Sequence, residues 1–180
     1  MLIRTEHLIL RPFEYSDLDL VFRLYSDEEI LRYTPFDTMN RIQAEQHLST
    51  VIRDWEADPQ LSYEMAVVLK ETGDKIGRAH ILIDPETDTG MIGGLLIPEH
   101  WGKHFAREIA GALIRYCFDT LGLHRVNATC SPENTASWKI LENCGMRREA
   151  HYRQKCRYIK NGTESWHDEL EYAMLASERA

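Results

Sequence analysis

The feature that most constrains this chain is a run of three strand-like segments joined by short turns. The segments occupy residues 63–69, 76–83 and 91–97, and the connections between them are ETGD and DPETD. Strand-forming segments separated by a few turn-forming residues pair with their neighbours along the chain. The sequence therefore predicts an antiparallel meander of three strands.

The residues after the meander predict a long helix, then a strand, a short helix and a hairpin. Apolar residues recur three or four positions apart over residues 105–117, which is the spacing of one helix face. Residues 125–130 and 147–159 have the composition of strands, and residues 134–143 have that of a helix. Asn161-Gly162 is the strongest hairpin signal in the chain.

The residues before the meander predict one strand and three helices. Residues 2–10 mix β-forming and polar residues, as a half-buried strand does. Two Ser-x-x-acid patterns, which begin at Ser16 and Ser26, are typical of the starts of short helices, and residues 40–56 predict a longer helix. The whole order of elements indicates an α+β fold.

The composition and charge of the chain argue against several classes of protein. The chain has 180 residues, which fits a single domain over residues 1–180, and a formal net charge of −8. A negative charge argues against nucleic-acid binding, which depends largely on Lys and Arg. No apolar run suits a signal peptide or a membrane span, so we expect a cytoplasmic protein with no membrane partner. The four cysteines form no CxxC pair, which favours free thiols over disulfides or a metal site.

The segment HWGKHFAREI, residues 100–109, joins the last meander strand to the long helix. The free amides and the dipole at a helix N-terminus favour a phosphate. Gly102 and Ala106 would let an anion approach the backbone, and Lys103 and Arg107 add positive charge. A solvated loop with two basic residues explains the segment equally well. It is neither a P-loop nor a G-x-G-x-x-G dinucleotide turn.

Several stretches, in their order along the chain, resemble the GCN5-related N-acetyltransferase (GNAT) superfamily, and in particular its branch of bacterial ribosomal-protein N-terminal acetyltransferases. They are RTEHLILRPFEYSDLD (4–19), IPEHWGKHFAREI (97–109), LGLHRVNATCSPENTASWKILENCGM (121–146) and HDELEYAML (167–175). The second is similar to the coenzyme A pyrophosphate loop of that family. The resemblance implies a mixed, mostly antiparallel sheet of about seven strands flanked by helices, with splayed central strands.

The resemblance also implies which residues hold the diphosphate. The family pattern [QR]-x-x-G-x-[GA] falls on residues 101–106, and the implied contacts are Trp101, Gly102, Lys103, His104, Phe105, Ala106 and Arg107. His104 stands where the family has glycine, and a Cβ there crowds the ligand and restricts φ. We expect His104 to adopt an ordinary first-turn helical conformation and to point to solvent. A protonated His104 that contacts a phosphate is the alternative, and binding would then weaken above a pH of about 6.5.

The same resemblance implies that the pantetheine arm lies along the last meander strand. Backbone groups of Leu95, Leu96 and Ile97 would contact it, and an N–H near Leu95 or Leu96 would polarise the thioester carbonyl. The neighbouring Gly93-Gly94 would permit a bulge or a close approach.

Asn134 and Ser137 match family positions that hold the pantetheine arm and protonate the departing thiolate. Helix capping by Asn134, with Ser137 at the third helical position, explains both residues equally well. Many relatives use a tyrosine as the acid, and Tyr152 and Tyr158 are available.

The general base is the least constrained assignment. It needs a pKa near the working pH and reach to the amine, directly or through one water. His80 and Glu64 are the candidates from the meander, and a water relay is an alternative. Direct transfer needs no nucleophile, so we expect Cys130 and Cys156 to serve packing.

These observations predict an enzyme that moves an acetyl group from acetyl-CoA directly to a primary amine in a ternary complex, without a metal. The acceptor is either a protein N-terminus or a small-molecule amine, and the chain is a monomer or a homodimer. A noncatalytic acyl-CoA-binding module is the alternative, and a nucleotide enzyme of another family ranks last.

Overall fold

The frame of the protein is one sheet, seen here in a computed structural model that describes residues 2–179. Its strands are β1 (Ile3–Arg4), β2 (Leu8–Pro12), β3 (Ser62–Leu69), β4 (Lys75–Asp84), β5 (Thr89–Leu96), β6 (Arg125–Cys130), β7 (Arg147–Lys160) and β8 (Thr163–Leu175). They lie in the order β1-β2-β3-β4-β5-β6-β8-β7. The β5–β6 pair is parallel and the other neighbouring pairs are antiparallel, so the meander and the C-terminal hairpin are confirmed.

In the described part of the chain, five α-helices flank the sheet: α1 (Leu18–Ser26), α2 (Glu28–Leu31), α3 (Arg41–Asp54), α4 (Phe105–Asp119) and α5 (Thr135–Asn143). The start of α3 has the capping box that its sequence predicts, because Asn40 Oδ1 accepts from the Gln43 amide at 3.0 Å and Gln43 Oε1 accepts from the Asn40 amide at 2.8 Å. The start of α2 differs from the prediction. Asp27 caps it, and Ser26 is the last residue of α1.

Within residues 2–179 the sheet has eight strands, one more than the expected number of about seven. The N-terminal segment accounts for the difference, because a tight turn divides it. The Thr5 amide donates to the Leu8 carbonyl at 3.0 Å, and the Leu8 amide donates back to Thr5 Oγ1 at 3.0 Å. One expected strand thus becomes the antiparallel pair β1–β2.

The two faces of the sheet carry different chemistry, because successive residues of a strand point to opposite faces. Ile81 of β4 points to the face covered by α4, where it adjoins Gly90 and the Cys117 thiol. Arg78, on the other face of the same strand, donates a hydrogen bond to the Tyr25 hydroxyl of α1. The face covered by α4 is packed with apolar side chains, whereas the α1 face also contains buried polar groups.

Strands β5 and β6 diverge, as the resemblance implies. Their pairing runs only from Thr89 with Arg125 to Met91 with Asn127. Beyond that point β5 remains paired with β4 as far as Leu96, and β6 remains paired with β8 as far as Cys130. A wedge therefore opens between residues 92–96 and 128–130.

Candidate active site

The β5 wall of the wedge exposes backbone donors. The Ile97 amide donates to the Ile76 carbonyl at 3.0 Å, so residue 97 faces β4. Hydrogen-bonded and non-bonded residues alternate along an antiparallel pair, and Leu96 and Gly94 therefore turn their N–H groups toward the wedge. Of the two donors expected from the sequence, this alternation leaves Leu96 and turns Leu95 toward β4. Gly94 is exposed although it lies within a strand.

The glycine pair of β5 serves close approach and introduces no bulge, since the β4–β5 register is continuous. A Cβ on Gly93 would lie 2.4 Å from Cε1 of His80, and a Cβ on Gly94 would lie 2.7 Å from the Arg78 carbonyl oxygen. Any larger residue at either position would displace β4 groups.

The opposite wall carries Asn134 and Ser137 at the start of α5, just beyond the end of β6. Asn134 Oδ1 caps the helix by accepting from the Ser137 amide at 3.2 Å, as the sequence predicts. Its side-chain NH2 remains available as a donor. The Ser137 hydroxyl lies beside the Cys130 thiol and is partly exposed. Both polar groups therefore border the wedge.

The turn between β5 and α4 holds a row of free amides. Pro98–His100 forms a single 3-10 turn, and the Trp101 indole N–H donates to the Leu96 carbonyl at 2.7 Å, which fixes the turn against β5. The first amide of the helix region to find a carbonyl is that of Glu108, which donates to His104 at 3.1 Å. Among the described residues, none accepts a hydrogen bond from the amides of residues 102–107.

His104 does not adopt the helical conformation that we expect from the sequence. Its φ is 66° and its ψ is −4°, so it is the left-handed N-cap of α4. Gly102, two residues earlier, is also left-handed, with φ of 72°. The loop thus keeps the backbone shape that a glycine favours, although a histidine occupies the position. The expectation of an exposed side chain is confirmed.

A groove of about 780 Å³ extends from this turn along α4. Arg107, Gly111 and Arg115 line it from α4, and Cys144 lines it from the end of α5. Its volume lies within the range of ordinary small-molecule sites.

The two candidate bases lie together on the α1 face of the meander. Glu64 of β3 pairs across the sheet with His80 of β4, and Arg78 lies between their side chains. One guanidinium nitrogen of Arg78 lies 3.1 Å from Glu64 Oε1 and 2.5 Å from the Tyr25 hydroxyl, and the other lies 2.6 Å from His80 Nδ1. We call Tyr25, Glu64, Arg78 and His80 the arginine cluster.

Within the arginine cluster, the pKa values of Glu64 and His80 are shifted in opposite directions. Burial raises the pKa of Glu64, although the Arg78 charge and hydrogen bond oppose that shift. Burial, assisted by the Arg78 charge, lowers the pKa of His80 to about 3. Glu64 is therefore the member whose pKa shifts toward neutral pH, whereas His80 is neutral and its Nδ1 is already engaged by Arg78.

The tyrosines considered as acids are hydrogen-bonded within the protein, and the two cysteines are unreactive thiols. The Tyr158 hydroxyl donates to the Tyr33 carbonyl at 3.1 Å, and burial raises its pKa to about 12. The Tyr152 hydroxyl donates to Glu171 at 2.9 Å. Burial also raises the pKa of the Cys130 and Cys156 thiols to about 11, so both are protonated near neutral pH.

Arg78 is the site residue that sequence reasoning missed. It is only 6% exposed, yet it is charged and lies within the apolar segment KIGRAHILID. Arginine is almost never fully buried unless it is paired, so an arginine inside a central strand was the available signal. The sequence could not identify the partners of Arg78, since Tyr25 and Glu64 lie 53 and 14 residues away in the chain.

The wedge and the amide-rich turn together define a class of protein. One site combines backbone donors on a splayed strand with a helix start whose amides have no protein acceptor among the described residues, an arrangement suited to a phosphate-bearing chain between two strands. The family model for the acetyltransferase (GNAT) domain matches residues 7–147. The chain belongs to the GNAT acetyltransferase family, and the predicted enzyme class, an N-acetyltransferase, is confirmed.

Similar proteins cover nearly the whole chain. The uncharacterized N-acetyltransferase YnaD of Bacillus subtilis is 32% identical over 178 residues, which are 99% of each chain. A GNAT-family acetyltransferase of Bacillus anthracis is 30% identical, with a TM-score of 0.84 over 99% of this chain and 100% of the other. A ribosomal L7/L12 alpha-N-protein acetyltransferase in complex with coenzyme A has a TM-score of 0.83 at 17% identity, over 99% and 100% of the two chains. The last of these shares the fold and belongs to the branch that the sequence resembles.

No helix within residues 2–179 has the length and apolar character to cross a membrane. No group of three or more His, Cys, Asp and Glu side chains in that range is arranged to hold a metal ion.

Proposed function

We propose that this enzyme transfers an acetyl group from acetyl-CoA directly to a primary amine in a ternary complex. The observation that carries the proposal is the wedge, which presents the Leu96 and Gly94 amides on one side and the Ser137 hydroxyl on the other. The β5 wall leads into the turn whose amides from residues 102–107 lack protein acceptors in the described chain. A molecule that carries a thioester at one end and a diphosphate farther along the same chain would contact all of these groups at once.

Each end of acetyl-CoA has residues suited to it. The amides of residues 102–107, with Lys103 and Arg107 at the rim, suit the diphosphate. The wedge-facing N–H groups of Leu96 and Gly94 suit the pantetheine arm, and the Asn134 side-chain NH2 offers it a donor from the other wall. Cysteines with raised pKa values support direct transfer rather than an acetyl-cysteine intermediate.

The reaction requires two proton transfers. The amine nitrogen attacks the thioester carbon, and the Leu96 or Gly94 N–H stabilises the negative charge that develops on the carbonyl oxygen. Glu64 accepts the amine proton through a water, which its raised pKa favours. Ser137 donates a proton to the sulfur as the carbon–sulfur bond breaks, and solvent restores the Ser137 proton.

The acceptor is a primary amine, either a protein N-terminus or a small molecule such as an amino acid, a polyamine or an antibiotic. The net charge of −8 mildly favours a cationic acceptor by steering. Oligomeric state, as monomer or homodimer, and a cytoplasmic location stay predictions.

The test is release of free thiol from acetyl-CoA with a panel of peptides of varied N-terminus and a panel of small amines. With the best acceptor, Ser137→Ala and Glu64→Gln should each lower kcat about 10²–10⁴-fold, the range for loss of a general acid or base. Ser49→Ala is the matched control, because Ser49 is a partly exposed residue of α3 and donates only to the Glu45 carbonyl. Its rate should equal that of the wild type.

The noncatalytic alternative predicts a different pair of results. Saturable binding of acetyl-CoA without thiol release across both panels would reject the proposed transfer and favour a binding module. Unchanged turnover in Ser137→Ala and Glu64→Gln would reject the assigned acid and base while leaving the transfer itself intact.

A further inference from the structure

The imidazole of His80 lies directly on β5 at the place where the two strands part. A Cβ on Gly93 would come within 2.4 Å of Cε1 and 2.9 Å of Nε2, so the ring occupies the space that any other residue would fill. Gly93 precedes Gly94, whose amide turns into the wedge. The distal edge of the imidazole is therefore next to the first free donors of the β5 wall.

The proton position on this ring follows from its partner. Arg78 lies 2.6 Å from Nδ1 through a guanidinium nitrogen. A guanidinium has donors and no acceptor, so Nδ1 must accept. A neutral imidazole that accepts at Nδ1 carries its hydrogen on Nε2. The contact thus presents Nε2–H as a donor on the Gly93 side.

We propose that His80 is a hydrogen-bond donor to the thioester carbonyl of the acetyl group, with Arg78 as the positioning residue that fixes its tautomer. The inference rests on the proposed function, because it assigns a role toward acetyl-CoA. It replaces the general-base role expected for His80 with an electrophilic one.

The surroundings of the ring support a donor that stays neutral. Burial and the Arg78 charge hold the pKa of His80 near 3, so the imidazole does not titrate at working pH. Glu64, which has a raised pKa, is hydrogen-bonded to Arg78, and among the described residues none forms a hydrogen bond with His80 Nε2. His80 is partly exposed, whereas Arg78 is buried, so a ligand in the wedge has access to the ring and not to the arginine.

The combined arrangement resembles an oxyanion hole built from unlike parts. One donor is a backbone N–H of β5 and the other is the Nε2–H of the neighbouring strand. Such preorganised donors act on the charge that develops in the transition state, and loss of one typically lowers kcat about 10²–10³-fold.

Two substitutions separate this role from a structural one. Asn in His80→Asn keeps an acceptor near Nδ1 for Arg78 but has no distal donor, whereas Gln in His80→Gln places its NH2 near Nε2. We expect His80→Asn to lower kcat about 10²–10³-fold with the KM for acetyl-CoA changed less than about threefold, and His80→Gln to recover at least tenfold of that loss. A ring needed only to satisfy Arg78 would give the reverse order.

Infrared spectroscopy of bound acetyl-CoA labelled with ¹³C at the acetyl carbonyl tests the same contact without an acceptor amine. The carbonyl stretch should fall on binding to the wild type, and the fall should be smaller in His80→Asn and largely restored in His80→Gln. Gly93→Ala, which displaces the ring, should act like His80→Asn and provides the second variant if His80→Asn does not fold.

The outcomes distinguish the two proposals. Equal carbonyl frequencies in the wild type, His80→Asn and Gly93→Ala, with acetyl-CoA bound to all three, would overturn the role of His80 and leave the proposed function standing. Failure of the wild type to bind acetyl-CoA would overturn the proposed function itself.

Discussion

At the scale of single residues, His104 shows how a backbone shape can persist without the residue that usually provides it. Left-handed conformations cost a non-glycine residue roughly 1–2 kcal/mol. His104 nevertheless has φ of 66°, because the turn that begins at Trp101 and the start of α4 together fix its position. The loop is therefore strained at the residue that borders the candidate diphosphate site.

We expect His104→Gly to be as stable as the wild type or more stable, because removal of the Cβ relieves this strain. His104→Val should be less stable than His104→Gly by at least about 1 kcal/mol, since a β-branched side chain fits poorly at positive φ. Urea denaturation measures both differences.

Lys103→Val is the control for the His104 variants, because Lys103 is an exposed neighbour that does not have positive φ. Its free energy of unfolding should change by less than about 0.5 kcal/mol. Equal stabilities of His104→Gly and His104→Val would mean that residue 104 is not held in the left-handed region.

At the scale of elements, Asp17 joins three parts of the sheet layer. Its carboxylate is fully buried and receives Arg11 of β2 at 2.7 and 2.9 Å, Lys75 of β4 at 2.7 Å and the Glu14 amide at 2.8 Å. It also lies at the start of α1. One side chain thus fixes the first helix against β2 and β4.

Asp17→Asn should lower the free energy of unfolding by about 3–5 kcal/mol, because it leaves Arg11 without its buried counter-charge. Asp19→Asn is the matched control. Asp19 pairs with Arg41, but its side chain is 86% exposed, so its loss should change stability by less than about 1 kcal/mol. Chemical denaturation at neutral pH measures both.

The pH dependence gives the Asp17 prediction a sign. Burial opposes ionisation of Asp17, but its hydrogen bonds from Arg11 and Lys75 prevail and lower its pKa from the usual 3.8. A lowered carboxyl pKa contributes stability above the unfolded value and loses it as the pH falls toward the folded value. The difference between wild type and Asp17→Asn should therefore shrink below a pH of about 4. A constant difference down to pH 2 would contradict the ionic origin.

Regular elements were predictable from the sequence, and their contacts were not. The meander, α3 with its capping box and the Asn161-Gly162 hairpin follow from local patterns of turns and apolar spacing. The division of the first strand depends on one threonine hydroxyl, and the arginine cluster depends on pairs far apart in sequence. Such features are set by tertiary contacts, which single-sequence patterns do not encode.

At the scale of the whole molecule, the candidate coenzyme site lies between two parts of the sheet. Within the sheet, strands β1–β5 and strands β6–β8 are joined by three residue pairs of β5 and β6, and α4 packs against both parts. A ligand that contacts both walls and the turn should therefore stabilise the protein as a whole.

We expect CoA at 100 times its Kd to stabilise the protein by about 2.7 kcal/mol, and to raise Tm by roughly 5–10 °C for a chain of this size. ATP at the same concentration should raise Tm much less, because it lacks the pantetheine arm. Differential scanning fluorimetry makes the comparison. A larger shift with ATP would favour an unrelated nucleotide enzyme over the acetyltransferase assignment of this site.

The early end of pairing between β5 and β6 has an evolutionary consequence. If a bound ligand contacts main-chain groups of residues 92–96, the apolar side chains at positions 92, 95 and 96 can be exchanged for other apolar ones without loss of recognition. Residues 93 and 94 must stay glycine, because β4 groups occupy the space of a Cβ at both positions. The length of this strand cannot change in the same way. Inserting or deleting one residue would exchange the amides that face β4 with those that face the wedge, and would move both glycines out of position. Sequence change at this edge should therefore proceed by replacement and never by a change in length.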